Sequence, residues 1–438
     1  MPGFDSTTIE GLGKRLREPA WMTQLRRDAL ATHQALPWPH PSDDVWRRVD
    51  VSLLDPLRGF APAASGLLES LALTDAQLAD FTQPLGGEQL WIRANGAWVG
   101  DPPQPRGMIV EELVAAAHQW PDALRRILTA DGMTDAEQKL SSLNAAFHHD
   151  DVFLHAPSGT VLDEPIRLVH LFSAAPKHAL FPMTIVMVGA GSTVTLIDEY
   201  ISVPPAGQTS LEPHQAHSRI ELILEPQAKL HYVRLQRWGA TAREFLLQRA
   251  TLAEGAQLTL ANLNLGAALS KAHIITTLNG PHASSRLYGF VFGHDHQQID
   301  QHTLQDHRAP HTFSDLQVRA ALQDQSQLVY TGLIRIAKEA VQTEAFQANH
   351  NLMLSAEAKA ETIPMLEILA DDVQCKHGAS IGPIDDEQAF YLMSRGLPRR
   401  LAERLIVMGF VEPTMLQVPF APLQERLRRE IEGSLHDG

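Results

Sequence analysis

TIVMVGAGSTVTLIDEYISV, residues 184–203, decides the fold class. Two runs of alternating apolar residues, Thr184–Val188 and Thr193–Val203, flank the turn Gly189-Ala190-Gly191. Period-two alternation bounded by glycine reads as two short strands. The turn carries two glycines of a dinucleotide-binding loop, but the third is missing and no helix follows, so it reads as a turn between strands.

The same texture extends outward on both sides. VFLHAP (152–157) and TVLDEPIRLVHLF (160–172) precede it, and similar runs continue to about residue 385. No helical pattern of ten or more residues interrupts them. A βαβ arrangement needs helical crossovers and is therefore excluded. Within the region a small residue is followed at +2 and +4 by inward-type residues. The instances are Ser192-Val194-Leu196, Ala228-Leu230-Tyr232, Ala256-Leu258-Leu260, Ser285-Leu287-Gly289, Ser326-Leu328-Tyr330 and Ala358-Ala360-Thr362. A degenerate repeat on this scale, each unit holding two or three short strands, predicts a β-solenoid. A β-sandwich, whose turns also recur regularly, is the competing architecture. The uneven spacing favours the solenoid, because loop insertions in a coil produce it.

The flanks read differently. Residues 1–147 are mainly helical. A helix runs from Pro19 to about Leu36 and stops at LPWPHPSDD (36–44), where three prolines forbid continuation. Residues 60–85 read as loop and helix. Ile92–Val99 is a hairpin turning at Asn95-Gly96. Helices follow over 109–129 and 135–147, the second with Thr134 and Glu137 at capping-box spacing. Residues 386–438 return to the helical period. One helix is closed by Gly396, a second starts at Pro398, and LQERLRREIEG (423–433) forms a third.

Composition bounds the function. The 438 residues carry 51 acidic and 36 basic side chains, a net charge of −15, which argues against broad nucleic-acid binding. One cysteine cannot form an internal disulfide, and the N-terminus has no apolar signal core, so a cytoplasmic setting is expected. No apolar run approaches the roughly 20 residues needed to span a bilayer. There is no GxxxxGK[ST] loop for ATP and no GxSxG nucleophile elbow.

Two clusters carry candidate chemistry. GHDHQQIDQHTLQDHRAPHTFSD (293–315) is dense in histidine. His294 and His296 would share a face on a strand, and with Asp300, His302, His307 and His311 they can hold zinc or iron. A metal-dependent β-fold enzyme built on His294, His296 and His302 is one reading. Polar loops stacked along the coil are the other. The second cluster is Cys375 and His377, also two apart. One thiol and one imidazole cannot complete an iron–sulfur cluster site, which takes about four ligands. If the pair serves a cluster, a partner chain supplies the rest.

The stretches HRAPHTFSD (307–315), TGLIRIAKEAVQTEAFQANHNLMLS (331–355), AKAETIPMLEILADDVQCKHGASIG (358–382) and FYLMSRG (390–396) resemble the SufB/SufD family of iron–sulfur cluster assembly proteins. HGAS at 377–380, where SufB members carry HEAT, and the single cysteine place the resemblance nearer the SufD branch. The resemblance implies a mainly β fold: a right-handed parallel β-helix over 148–385 between N-terminal and C-terminal helical regions. It implies a non-catalytic scaffold subunit that assembles clusters and hands them on. A SufB-like paralogue would pair through the β-helices, and a SufC-like ABC ATPase would bind the C-terminal helices around Phe390, Tyr391, Arg395, Gly396 and Leu401. It implies His377 as a transient iron ligand at the shared interface, with Cys375 in the same motif and no resident cofactor. A homodimer through the same face is the option when the partner is absent.

Overall fold

A computed structural model of the chain describes residues 3–40, 42–43, 45–63, 83–101, 107–129, 133–173, 177–204 and 213–435. From Thr193 onward, strands of 8 to 11 residues alternate between two sheets, of 11 and 10 strands. Each strand pairs in parallel with the strand two places further on. Thr193–Ser202 pairs with Lys229–Arg237 and that with Gln257–Asn264, while Gln215–Leu224 pairs with Arg243–Leu252 and that with Leu269–Leu278. The result is the expected mainly β architecture, a parallel β-solenoid of about seven turns with helices at both ends.

Register is continuous through the coils. In the second, 10-stranded sheet one inward ladder runs Leu196, Tyr232, Leu260, Leu287, Leu316, Gln347 and His377. A parallel ladder buried on both faces tolerates no one-residue slip, because a slip would turn its apolar set outward. Inward residues of both sheets meet in one core that includes Leu222, Leu246, Ile274 and Tyr330.

The repeat read in the sequence is partly displaced. The buried small residues at successive corners are Ser192, Ala228, Ala256, Ala283, Thr312 and Thr343. The carbonyls of the first five accept hydrogen bonds of 2.7–3.0 Å from the next coil. Ser285 sits two places past its corner, and Ser326 and Ala358 mark the corner of the other sheet. A recurring turn carries one left-handed residue per coil: Gln227, Gly255, His282, His311 and Gln342, with φ between 57° and 64°. Only one of the five is glycine, so the sequence hides this period.

Eight helices are described: α1 (Ser6–Leu16), α2 (Ala20–Ala35), α3 (Leu113–Gln119), α4 (Pro121–Leu128), α5 (Asp135–Phe147), α6 (Asp386–Ser394), α7 (Arg399–Met415) and α8 (Ala421–Ser434). The α2 helix, the hairpin at Asn95-Gly96 and the Thr134–Glu137 capping box form as expected. Helix α1 adds to the expected set, with the Asp5 side chain accepting from Thr8 N at 2.9 Å. The helix expected over 109–129 divides. Ile109–Glu111 pairs as a strand with the segment Phe153–His155, and Pro121 separates α3 from α4. Most of the loop and helix expected over 60–85 lies outside the described residues. Helix α5 packs on the outer face of the first, 11-stranded sheet, where the Asn144 side chain donates to the carbonyls of Pro182 and His217 at 2.9 and 2.6 Å. Helices α7 and α8 cover the outer face of the second sheet through Val411, Met415, Leu423, Leu427 and Ile431.

Candidate functional site

The last strands of the two sheets, Lys359–Ile368 and Val373–Pro383, have a neighbour on one side only. Their inward residues show what this does. Ile334 and Ile336 are 0% exposed, yet Leu366 and Ile368, which pair with them on the next coil, are each 39% exposed. Ile381 is 46% exposed in the other sheet. A β-carbon added to Gly378 or Gly382 would meet nothing within 4 Å. The coil thus ends in two free edges and a fringe of uncovered apolar side chains. Free sheet edges of this kind pair with another chain unless they are blunted.

Cys375 and His377 stand on this edge, on the coil-facing side of Val373–Pro383. Cys375 continues the ladder Ser285, Ser314, Ala345 and packs half-buried beside Ala345 and Ile334. Burial pushes its thiol pKa up, so at neutral pH it is a protonated, weak nucleophile. His377 ends a ladder that is apolar through Leu316 and turns polar only at Gln347. Its ring is exposed, and its imidazole is free to ligate from the end of the coil. Of the two, His377 is the accessible donor and Cys375 the shielded one. Beside them Ser380 Oγ is 2.8 Å from His350 Nδ1 on the outer side of the same edge.

The strand leads directly into α6, which starts where the Asp385 carboxylate accepts from Glu387 N at 2.8 Å. Helix α6 and the first half of α7 lie off the sheet. Phe390 is 72% exposed and Tyr391 57%, and Met393, Leu401 and Leu405 are exposed beside them. The guanidinium of Arg395 lies 5.2 Å over the Tyr391 ring, and Gly396 closes the helix at φ 93°. Of the residues expected to receive an ATPase partner, Phe390, Tyr391 and Leu401 are exposed apolar or aromatic side chains on the helices that follow the last strand.

The histidine-rich segment does not converge. His294 and His296 lie in the turn before the strand Gln298–His307 and share no strand face. His294 faces α8 near Glu430 and Ile431, whereas His302 points out of the first sheet toward Glu137 and His273. Asp300 is tied to Lys271 at 2.8 Å, His307 lies between Thr312 and Ser314, and His311 stacks on His282. Alternation fails here because the strand begins two residues after His296.

Two features escaped the sequence reading. Buried Asp198 accepts from Tyr200 and Tyr232 at 2.8 and 2.5 Å and sits 2.9 Å from His170 Nε2, inside the coil. Buried Glu199, facing the opposite way, binds Arg426 of α8 at 2.6 Å and Arg167 and Arg237 at 3.0 Å each. The adjacent carboxylates in LIDEYI (196–201) were the available signal, since two acids inside an apolar strand must each find partners.

Residues 170–410 match the family profile "SUF system FeS cluster assembly, SufBD core domain". The chain is similar to an iron–sulfur cluster assembly SufBD family protein of Synechocystis sp., with 27% identity covering 94% of this chain and 91% of that protein. It is also similar to the iron–sulfur cluster assembly protein SufD of Bacillus subtilis, with 26% identity over 98% and 97% of the two chains. A SufBD family protein of Staphylococcus saprophyticus is 27% identical over 99% and 94%. The profile takes in most of the coil, its open edge with Cys375 and His377, helix α6 and much of α7, and the chain belongs to the SufBD family of iron–sulfur cluster assembly proteins.

Proposed function

We propose that this chain is a SufD-like, non-catalytic scaffold subunit that holds a nascent iron–sulfur cluster across an interface with a SufB-like paralogue. The observation that carries the reading is the uncovered coil end, where the last strands of the two sheets carry exposed Leu366, Ile368 and Ile381 together with His377 and Cys375. A second coil docked there would pair the free edges and cover the apolar fringe. It would also bring its own thiolates to His377. A neutral imidazole is a competent iron ligand, and ligation shared between two chains lets the cluster leave when the interface opens. The face of Phe390, Tyr391, Arg395, Gly396 and Leu401 is assigned to a SufC-like ATPase, whose nucleotide-driven movement would act on the open end through the few residues between Pro383 and Asp386.

The test uses the complex isolated from its host. His377→Ala is expected to reduce cluster formation at least tenfold, while circular dichroism and melting temperature stay at wild-type values, because an exposed substitution changes stability by about 0.5 kcal/mol or less. Cluster yield within twofold of wild type would reject the assignment. Phe390→Asp is expected to release the ATPase from the purified complex and leave the paralogue bound. Retention of the ATPase would remove α6 from the proposed contact.

A further inference from the structure

We propose that Glu137, His273 and His302 bind a zinc-class divalent cation that clasps helix α5 to the outer face of the first sheet. The three donors come from separate parts of the chain. His273 and His302 are paired neighbours on consecutive coils and both point outward. Glu137 descends on them from the first turn of α5. One oxygen of Glu137 and one nitrogen of each imidazole lie within 4.8 Å of one another. A tetrahedral ion with bonds near 2.0–2.1 Å needs its ligand atoms about 3.4 Å apart, so small side-chain rotations close the set.

Unused bonding capacity points to a ligand. His273 is 1% exposed, and the nitrogen that faces Glu137 is Nδ1, 2.8 Å from Oε1. Both nitrogens of His302 are buried without a partner. Leaving such groups unpaired costs about 1–3 kcal/mol each.

The surroundings orient the donors. Glu137 Oε2 is occupied by Thr134 N and Oγ1 at 2.8 and 3.0 Å, which leaves Oε1 turned toward His273 at 2.8 Å. Trp46 stacks on His273 with ring centroids 4.8 Å apart. The nearby cation, Lys271, is neutralised by Asp300 at 2.8 Å and donates to Val45 O at 2.6 Å. Two imidazoles and one carboxylate are a zinc-type set with an open fourth position, whereas calcium and magnesium favour all-oxygen sites.

The test is zinc binding to the full chain after chelation and dialysis, followed by isothermal titration. Wild type is expected to bind one equivalent tightly and to melt at a higher temperature with zinc. His302→Ala, which removes no hydrogen bond, is expected to fold normally, bind zinc at least tenfold more weakly and lose the thermal shift. Glu137→Gln gives a second variant with the helix cap largely kept. Cobalt added to wild type is expected to show the intense visible bands of a tetrahedral site. A Cys375→Ser/His377→Ala chain is expected to keep the equivalent, which separates this site from the open coil end. Absence of tight binding in wild type, equal binding by His302→Ala, or loss of binding in the open-end variant would each overturn the proposal.

Discussion

Glu199→Ala is expected to lower stability by roughly 3–5 kcal/mol and to release α8 from the coil. Glu199 is 0% exposed and is bound by Arg426, Arg167 and Arg237. Removing it leaves arginines from α8 and from two strands facing one another around a vacated carboxylate. Glu430, 3.3 Å from Arg237 and 3.5 Å from Arg426, compensates only from the rim. Burial pushes the Glu199 carboxyl up, but the three guanidiniums outweigh it and hold the pKa at about 2, against 4.5 as the ordinary value. A folded pKa below the unfolded one means stability that is complete above about pH 4.5 and is lost as pH falls toward 2. A difference of about 2.5 units corresponds to about 3 kcal/mol, in line with the mutational expectation. Urea unfolding at pH 7 gives the first number. Hydrogen exchange over 421–434 gives the second effect, because α8 should open before the coil does. An Arg426→Ala background should absorb part of the loss. A destabilisation below 1 kcal/mol, or unchanged protection in α8, would show that α8 is held by its apolar face alone.

Much of the fold was legible because its period is simple. Alternation of two, glycine and proline at the turns and the absence of crossover helices lead to a coil, and Leu196, Tyr232 and Leu260 stack as their spacing requires. The corner assignment drifted by two places to Ser285 because Ala283, Ser284 and Ser285 are all small, and the next two corners were missed because Thr312 and Thr343 do not read as small. His377 and Cys375 were legible as a motif, yet their setting was not. Exposure at a coil end depends on no further strand following, and alternation alone cannot distinguish the last rung from an interior one. The ladder adds a physical reason His377 stands out: Leu196, Tyr232, Leu260, Leu287 and Leu316 give way to a buried Gln347 and then to an exposed imidazole on the last rung. The histidine-rich segment misled because strand boundaries decide which histidines share a face. His302 does meet a second histidine, but that residue is His273 from the preceding coil, a pairing set by register across 29 residues.

The same buried histidines make the chain acid-labile well above the carboxylate range, and unfolding near pH 5 is expected. Burial lowers His217 and His302 to about 3 and His307 to about 4. His148, buried beside Arg26, is also held well below 6.5. In the fold these rings are neutral. His307 sits between the hydroxyls of Thr312 and Ser314 at 2.8 and 2.9 Å, either of which can donate or accept, so a neutral ring satisfies both bonds. In the unfolded chain the same rings take up protons below about pH 6.5. The unfolded state then binds more protons, so stability is full above 6.5 and falls with pH until the folded values of 3–4 are reached. Each ring contributes up to about 1.4 kcal/mol per pH unit, and three of them remove about 4 kcal/mol between neutral pH and 5.5. That is a large share of the 5–15 kcal/mol typical of a folded chain. Glu199 cannot offset the loss, because its contribution is constant until pH falls below about 4.5. Urea midpoints at pH 7.5, 6.5 and 5.5 measure the slope, which His217→Leu should make shallower. A midpoint that stays constant down to pH 5.5 would mean that the folded chain accommodates protonated imidazoles at these positions.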